Sequence, residues 1–205
     1  AMVLWGPSVF IGGEFSKANG KKVLSTLADF DTPRYLYFPD DKWYSFIKST
    51  FSVKLKDRYL NLYQFVNTNI AVLNEDRQNI FPITRKFVEN NLPNTELVTG
   101  ELYSYTDMED FFQNGFGFAL VIDGVVSGYC LSEYSINNSH GINIWIDERY
   151  RGLGYAKKMV NAFLLQCQEK NQNAYWVCNA DNIGSNKVAV SSGFVLKSTM
   201  HYFEL

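Results

Sequence analysis

Ile144-Trp145-Ile146-Asp147-Glu148-Arg149-Tyr150-Arg151-Gly152-Leu153-Gly154-Tyr155-Ala156 is the stretch on which the fold turns. Ile142, Ile144 and Ile146 alternate with Asn143 and Trp145 as a strand does. The stripe Ala156, Met159, Val160, Phe163, Leu164 and Cys167 then marks an amphipathic helix beginning near Leu153. Between them lies a turn with two glycines and two arginines. Gly152 and Gly154 free the backbone to aim successive N–H groups into one concavity. The helix start adds its unpaired N–H groups and the positive end of its dipole. Arg149, Arg151, Lys157 and Lys158 surround that mouth with charge. On physical grounds this is a diphosphate cradle. It is not a Walker loop, because no Gly-Lys-Ser/Thr follows, and the spacing is not the Rossmann one. A plain glycine-rich turn with solvated charges is the other reading of the same residues.

Outward from this turn, the second half of the chain resolves into a clear order. Thr106-Asp107-Met108-Glu109 reads as a capping box opening a short helix that Gly115 stops. Phe116–Ile122 and Val125–Ser132 flank Asp123-Gly124, a two-residue hairpin loop. Asn137-Asn138 turns the chain into the strand Gly141–Asp147, and the long helix follows. Tyr175–Cys178 is a buried-type strand, Asn182 caps a helix that Gly193 ends, and Val195–Phe203 is the last strand. The first ninety or so residues are a looser mixture. Val3–Trp5, Ser8–Ile11, Tyr35–Phe38 and Tyr59–Val66 read as strands, broken by Gly6-Pro7 and Gly12-Gly13. Lys21–Phe30, a helix capped by Asp40 or Asp41 with Trp43, Tyr44, Phe46, Ile47 and Phe51 inward, and Thr84–Asn91 read as helices. A boundary near Asn91–Thr95 divides a smaller α/β N-terminal half, 1–93, from a second domain, 94–205.

Composition narrows the function classes. Hydrophobic residues are 46% of the 205, enough for a buried core rather than a disordered chain. A net charge of −2 argues against a phosphate-backbone binder, so no nucleic-acid partner is expected. Cys130, Cys167 and Cys178 form no Cys-x-x-Cys pair and only His140 and His201 accompany them, so no metal site is expected. The first basic residue is Lys17 and no apolar run approaches a membrane span, which points to a cytoplasmic protein without membrane contact.

Arg151-x-x-Gly154-x-Ala156 resembles the Arg/Gln-x-x-Gly-x-Gly/Ala signature of the GNAT acyl-CoA N-acyltransferases, between the fourth strand and the long helix where that family has it. Asn182-x-x-Ser185 followed by Gly193-Phe194 resembles the family's segment after the fifth strand. Phe116-Gly-Phe118, Tyr150-Arg151-Gly152, Trp176-x-Cys178 and Asn182-x-x-Ser185-x-x-Val188-Ala189 look closest to the zwittermicin A resistance-like GNAT acetyltransferases, with Phe10-Ile-Gly-Gly13 a looser match in the first half. The resemblance implies an α/β fold whose central mixed, mostly antiparallel sheet is splayed between its fourth and fifth strands, preceded by a GNAT-like N-terminal half that covers the substrate side.

The same resemblance implies a site. Acetyl-CoA, with no metal, would lay its diphosphate on the N–H groups of Arg151, Gly152, Leu153, Gly154, Tyr155 and Ala156. Its pantetheine would add like a strand along Ile144, Trp145 and Ile146, with an N–H near Ile146 polarising the thioester carbonyl and Asn182 and Ser185 bordering the arm. An amine on a small molecule, by analogy an amino-bearing antibiotic or metabolite, would attack directly after losing a proton. The chain departs from the family in its proton carriers. Ala189 stands where many members have a tyrosine acid, and Gly141 where others have a glutamate at the start of the fourth strand. Glu133, His140 and Tyr202 are the remaining catalytic candidates, each with an ordinary alternative as a surface carboxylate, a turn residue and a packing residue. Tyr103, Tyr105, Phe116, Phe118 and Tyr134 would line the acceptor's approach, in a monomer or a homodimer. A catalytically silent acyl-CoA sensor, or an interaction module on the same scaffold, is the alternative.

Overall fold

The computed structural model describes residues 2–5, 8–28, 35–50, 55–66 and 78–205. Parts of the expected Lys21–Phe30 helix, the Gly6-Pro7 break, Phe51 and residues 67–77 lie outside them. In chain order the elements are β1 (Met2–Trp5), β2 (Ser8–Ile11), α1 (Lys17–Ala28), β3 (Tyr35–Tyr37), α2 (Asp41–Thr50), β4 (Lys56–Phe65), β5 (Ile80–Pro82) and α3 (Arg85–Glu89). Then come α4 (Glu96–Thr99), α5 (Met108–Asn114), β6 (Gly117–Ile122), β7 (Val125–Ile136), β8 (Ser139–Ile146), a 3-10 turn (Glu148–Tyr150), α6 (Tyr155–Glu169), β9 (Asn173–Asn179), α7 (Ile183–Ser191) and β10 (Phe194–Glu204). The class is α/β, with mixed strand pairing that is mostly antiparallel, as expected. Contacts divide the chain into two compact units, Ala1–Leu62 with Cys178–Asn182 and Ser198–Leu205, and Tyr63–Val177 with Ile183–Lys197.

In the first unit β2 pairs antiparallel with β1 and parallel with β3, and β10 runs antiparallel to β3. Val9, Ile11, Leu36, Trp43, Ile47 and Phe203 form its core. Asp40 caps α2, its Oδ1 accepting from the N–H groups of Lys42 and Trp43. α1 begins one turn before the expected Lys21 because the Ser16 hydroxyl accepts from Asn19 N–H. Its acceptor was available in the sequence but carries no apolar period.

In the second unit, Phe87 of α3, Val98 of α4 and Phe111 of α5, with Leu102 from the link after α4, pack against Ala119, Val121, Val126, Tyr129 and Leu131. Ala119 with Val121, and Tyr129 with Leu131, share one sheet face by the twofold alternation, and Val126 joins them because β7 carries an extra residue at Ser127 in its register with β6. The short α4 is not legible in the sequence. For α5 the cap is Asp107, whose side chain accepts from Asp110 N–H, rather than the expected Thr106 and Glu109. Asp110 reaches back to Thr106 N–H, and Glu109 instead pairs with Arg85. The cap is shifted by one residue, and its return bond falls on Thr106 N–H, just before the cap, rather than on the cap's own N–H. On the other face, α6 buries Met159, Val160, Phe163, Leu164 and Cys167. Each large side chain there contributes about 1.5–3 kcal/mol of transfer energy, so the helix is firmly seated and its N-terminus is held in place.

The β6–β7 hairpin closes at Asp123 (φ 51°) and Gly124 (φ 76°), the left-handed pair that a two-residue loop demands. Asn137 (φ 47°) and Asn138 (φ 62°) close β7–β8 the same way. From that turn Ile136 faces Ser139, yet further along Glu133 faces Gly141, so β7 carries one extra residue in between. This is a β-bulge, with Tyr134 at φ 41°. The Tyr175 hydroxyl donates to the Tyr134 carbonyl at 2.6 Å, satisfying the group that the bulge frees. Tyr175 in turn occupies the space above Gly141, where an added Cβ would stand 2.9 Å from its ring.

Candidate functional site

β8 and β9 pair in parallel only at Ser139–Asn173, His140–Ala174 and Gly141–Tyr175. β8 then continues to Ile146 and β9 to Asn179 with no further rung between the two, which is the expected splay. The register fixes what faces the gap. Ile146 lies opposite Gly128, and Asp147 N–H donates to Ser127 carbonyl at 2.9 Å. That is the pattern of a non-hydrogen-bonded pair, so the N–H of Ile146, and by alternation that of Ile144, turns away from β7 into the opening. Trp145 is out of phase, and its ring stacks on Tyr129 at 6.0 Å.

At the mouth of this gap the chain makes its glycine turn. Gly152 (φ 78°) and Gly154 (φ 85°) are both left-handed, and a Cβ built on either would meet nothing within 4 Å. Arg151, Gly152, Leu153 and Gly154 are exposed. The helix starts at Tyr155 rather than at the expected Leu153, because a residue with the φ of Gly154 cannot belong to a right-handed helix. The first helical bond is from Lys158 N–H to Gly154 carbonyl, leaving the amides of Tyr155, Ala156 and Lys157 as the ones a helix end does not satisfy. The cradle is therefore open and edged with donors, and these residues fit a diphosphate.

The two arginines brace the turn more than they charge its mouth. Arg149 grips the Asp147 carboxylate with Nε and Nη2 at 3.0 and 2.8 Å, while its N–H donates to the same Oδ1. That side-chain grip holds the Asp147 carboxyl down at about 2. Arg151 donates from Nε to the outward-facing Ile146 carbonyl at 2.9 Å and from Nη1 to Glu148 at 3.3 Å. It thus ties the cradle to the last residue of the splayed strand.

Glu133 and Gly141 are direct partners across β7 and β8, so the Glu133 carboxylate rises beside the place where a glutamate at 141 would have stood. Tyr103 donates to Glu133 Oε2 at 3.3 Å, and Asn143 Nδ2 donates to Tyr103 Oη and Glu101 Oε2, both at 3.4 Å. Tyr134 stands 6.3 Å from the Tyr103 ring. Burial is the largest influence on Glu133 and raises its pKa; the Tyr103 bond pulls it back and the Glu101 charge raises it again. Burial also raises the Tyr103 hydroxyl, and lifts that of Tyr175 to about 12.

The other expected residues have the following surroundings. His140 projects to the opposite face from Glu133, fully buried, with the Phe116 ring 5.2 Å away. Burial there lowers its pKa, favouring the neutral ring. Phe116 lies on Phe163 at 4.5 Å and Phe118 is buried, so neither joins Tyr103 and Tyr134. Tyr105 bonds the Ser132 carbonyl and hydroxyl. Ser185 accepts from the indole of the buried Trp176 at 2.9 Å. Asn182 and Tyr202 belong to the first unit, where the Tyr202 hydroxyl donates to Asn179 at 2.7 Å and the ring stacks on Tyr37. Glu101, Tyr129 and Asn143 escaped the sequence reading. Cross-strand counting that included a bulge just after Glu133 is the signal that would have found Asn143.

A family model described as GNAT acetyltransferase matches residues 1–203. An uncharacterized N-acetyltransferase of Bacillus subtilis is 32% identical over 100 residues, 48% of this chain and 38% of that relative, so the match spans well under half of the curated protein. A GCN5-related N-acetyltransferase-like protein from Streptococcus suis has a similar fold, with a TM-score of 0.67 at 20% identity over 96% of this chain and 78% of its own. A GCN5-related N-acetyltransferase from Kribbella flavida follows at 0.63 and 12% identity, covering 100% and 89%. At these identities the two structures speak for the fold alone. Among the described residues no group of three metal-ligating side chains converges, and no helix is long and apolar enough to cross a membrane.

Proposed function

The chain belongs to the GNAT acetyltransferase family, and from that premise we propose that it transfers an acetyl group from acetyl-CoA to the amine of a small molecule. The supporting observation is the gap between β8 and β9, into which the Ile144 and Ile146 amides turn beside an open, donor-edged glycine cradle. Acetyl-CoA supplies the activated acetyl thioester. The amides of 152–157 bind its diphosphate, those of Ile144 and Ile146 orient the arm, and the Ile146 N–H polarises the carbonyl that the amine attacks.

The acceptor reaches the site as an ammonium with a pKa near ~10 and must lose a proton before it can attack. Glu133 takes that proton. It stands on the strand beside Gly141, its pKa is raised by burial, and Tyr103 holds one of its oxygens. The carboxylate absent from the fourth strand is thus carried by the third. Attack forms the C–N bond as the C–S bond breaks, and the second proton leaves the new amide for the thiolate through solvent. The acceptor belongs to the amino-bearing antibiotics or metabolites suggested by the zwittermicin-resistance resemblance.

A thiol-release assay over an amine panel tests this reading. Turnover is expected with at least one amine, and Glu133→Gln should lower kcat by about 10²–10⁴-fold with acetyl-CoA affinity retained. Acetyl-CoA binding with no thiol release from any amine would favour a silent acyl-CoA binder. The buried Ala189, which has no proton to give, is the observation on that side.

A further inference from the structure

The first unit has a second concavity, a groove of about 660 Å³ between α1 and α2. Its floor is apolar. The Phe15 and Phe46 rings lie 5.2 Å apart, and Phe15 meets Trp43 edge-on at 5.3 Å. Gly20 brings Phe46 hard against α1, since a Cβ there would stand 2.6 Å from the ring. The rim is cationic. Lys17 and Lys21 lie one turn apart on α1, and Lys42 faces them from α2. All three are exposed, and none makes an ion pair among the described residues. Among the described residues Asp41 is the one acid on the rim, leaving them an excess of two positive charges on a chain whose net charge is −2.

We propose that this groove binds a free carboxylic acid with an apolar body of medium length. The body would remove the phenylalanine floor from water, and the carboxylate would be drawn to three ammonium groups that make no ion pair among the described residues. The Ser45 hydroxyl on the same wall offers a donor. The volume falls in the range of about 300–1,000 Å³ typical of small-molecule pockets. A neutral ligand leaves the lysines unused and a cation is repelled, so charge sets the selectivity and the floor sets the need for a hydrocarbon. The site is independent of the acyl-transfer reading.

Calorimetry on the full chain tests it with octanoate, acetate and octylammonium as probes. Octanoate should bind, with acetate and octylammonium each weaker by about tenfold or more. Lys21→Glu combined with Lys42→Glu should cost octanoate a further tenfold or so, with acetyl-CoA affinity and melting temperature unchanged. Octylammonium binding as well as octanoate, no octanoate binding, or the same octanoate affinity in the double variant would each overturn the proposal. Should that variant not fold, a salt series replaces it: octanoate affinity must fall between about 50 and about 500 mM sodium chloride, and a constant value overturns the proposal.

Discussion

Gly154→Ala separates what the glycine turn does for the fold from what it does for a ligand. Gly154 has φ 85°, and an added methyl would meet no atom within 4 Å. The cost to the fold is therefore backbone strain alone, about 1–2 kcal/mol for an L-residue held left-handed. At about 2–4 °C per kcal/mol for a chain of this size, that lowers the melting temperature by about 2–8 °C. Gly124 supplies the matched control, with φ 76° and the same empty surroundings, in the β6–β7 turn. Gly124→Ala should cost the same stability. Only Gly154→Ala puts its methyl where phosphate oxygens would sit. Displacing one hydrogen bond to a charged group costs about 1.5–3 kcal/mol, or about ten- to a hundredfold in acetyl-CoA affinity. Thermal melts and titration calorimetry on the three proteins measure both quantities. Equal acetyl-CoA affinity in all three, or an equal loss in both variants, would refute the reasoning.

The pH profile reports on Glu133. Its pKa lies above the ordinary 4.5, so kcat/KM should climb with pH as the carboxyl ionises, with its acid limb above that value. Tyr103→Phe removes a bond that lowers this pKa and should move the limb to higher pH; Glu101→Gln removes a charge that raises it and should move the limb lower. Shifts in the same direction, or none, would disprove Glu133 as the proton acceptor. Gly141→Ala drives a methyl into the Tyr175 ring and the Glu133 carbonyl, each 2.9 Å away. Chemical denaturation should show an overpacking loss of about 1–3 kcal/mol, and an unchanged midpoint would refute the account of why glycine stands there.

The turn and helix of the cradle were legible because their physics is local. Gly152 and Gly154 announce left-handed backbone, and the stripe of α6 announces its face. The two hairpins were legible for the same reason, in Asp123-Gly124 and Asn137-Asn138. The carboxylate network was not. Counting back from the Asn137-Asn138 turn without a bulge pairs Glu133 with Ile142 and sends its side chain to the α6 face. The extra residue near Tyr134 flips it to the face of Tyr103 and Asn143. That bulge depends on Tyr175, 41 residues away, accepting a place above Gly141. No local window contains both. Arg149 looked like free charge for a similar reason, its capture by Asp147 being a matter of side-chain geometry rather than composition.

β8 and β9 part company after three rungs, and beyond them the Ile144 and Ile146 amides turn toward the opening. Open strand edges invite neighbouring chains. An extended molecule lying between them completes the ladder and binds only the native form. At a hundredfold excess over its dissociation constant, such an occupant adds about 2.7 kcal/mol to folding. If that occupant is acetyl-CoA, as proposed above, resistance to proteolysis should rise with its concentration.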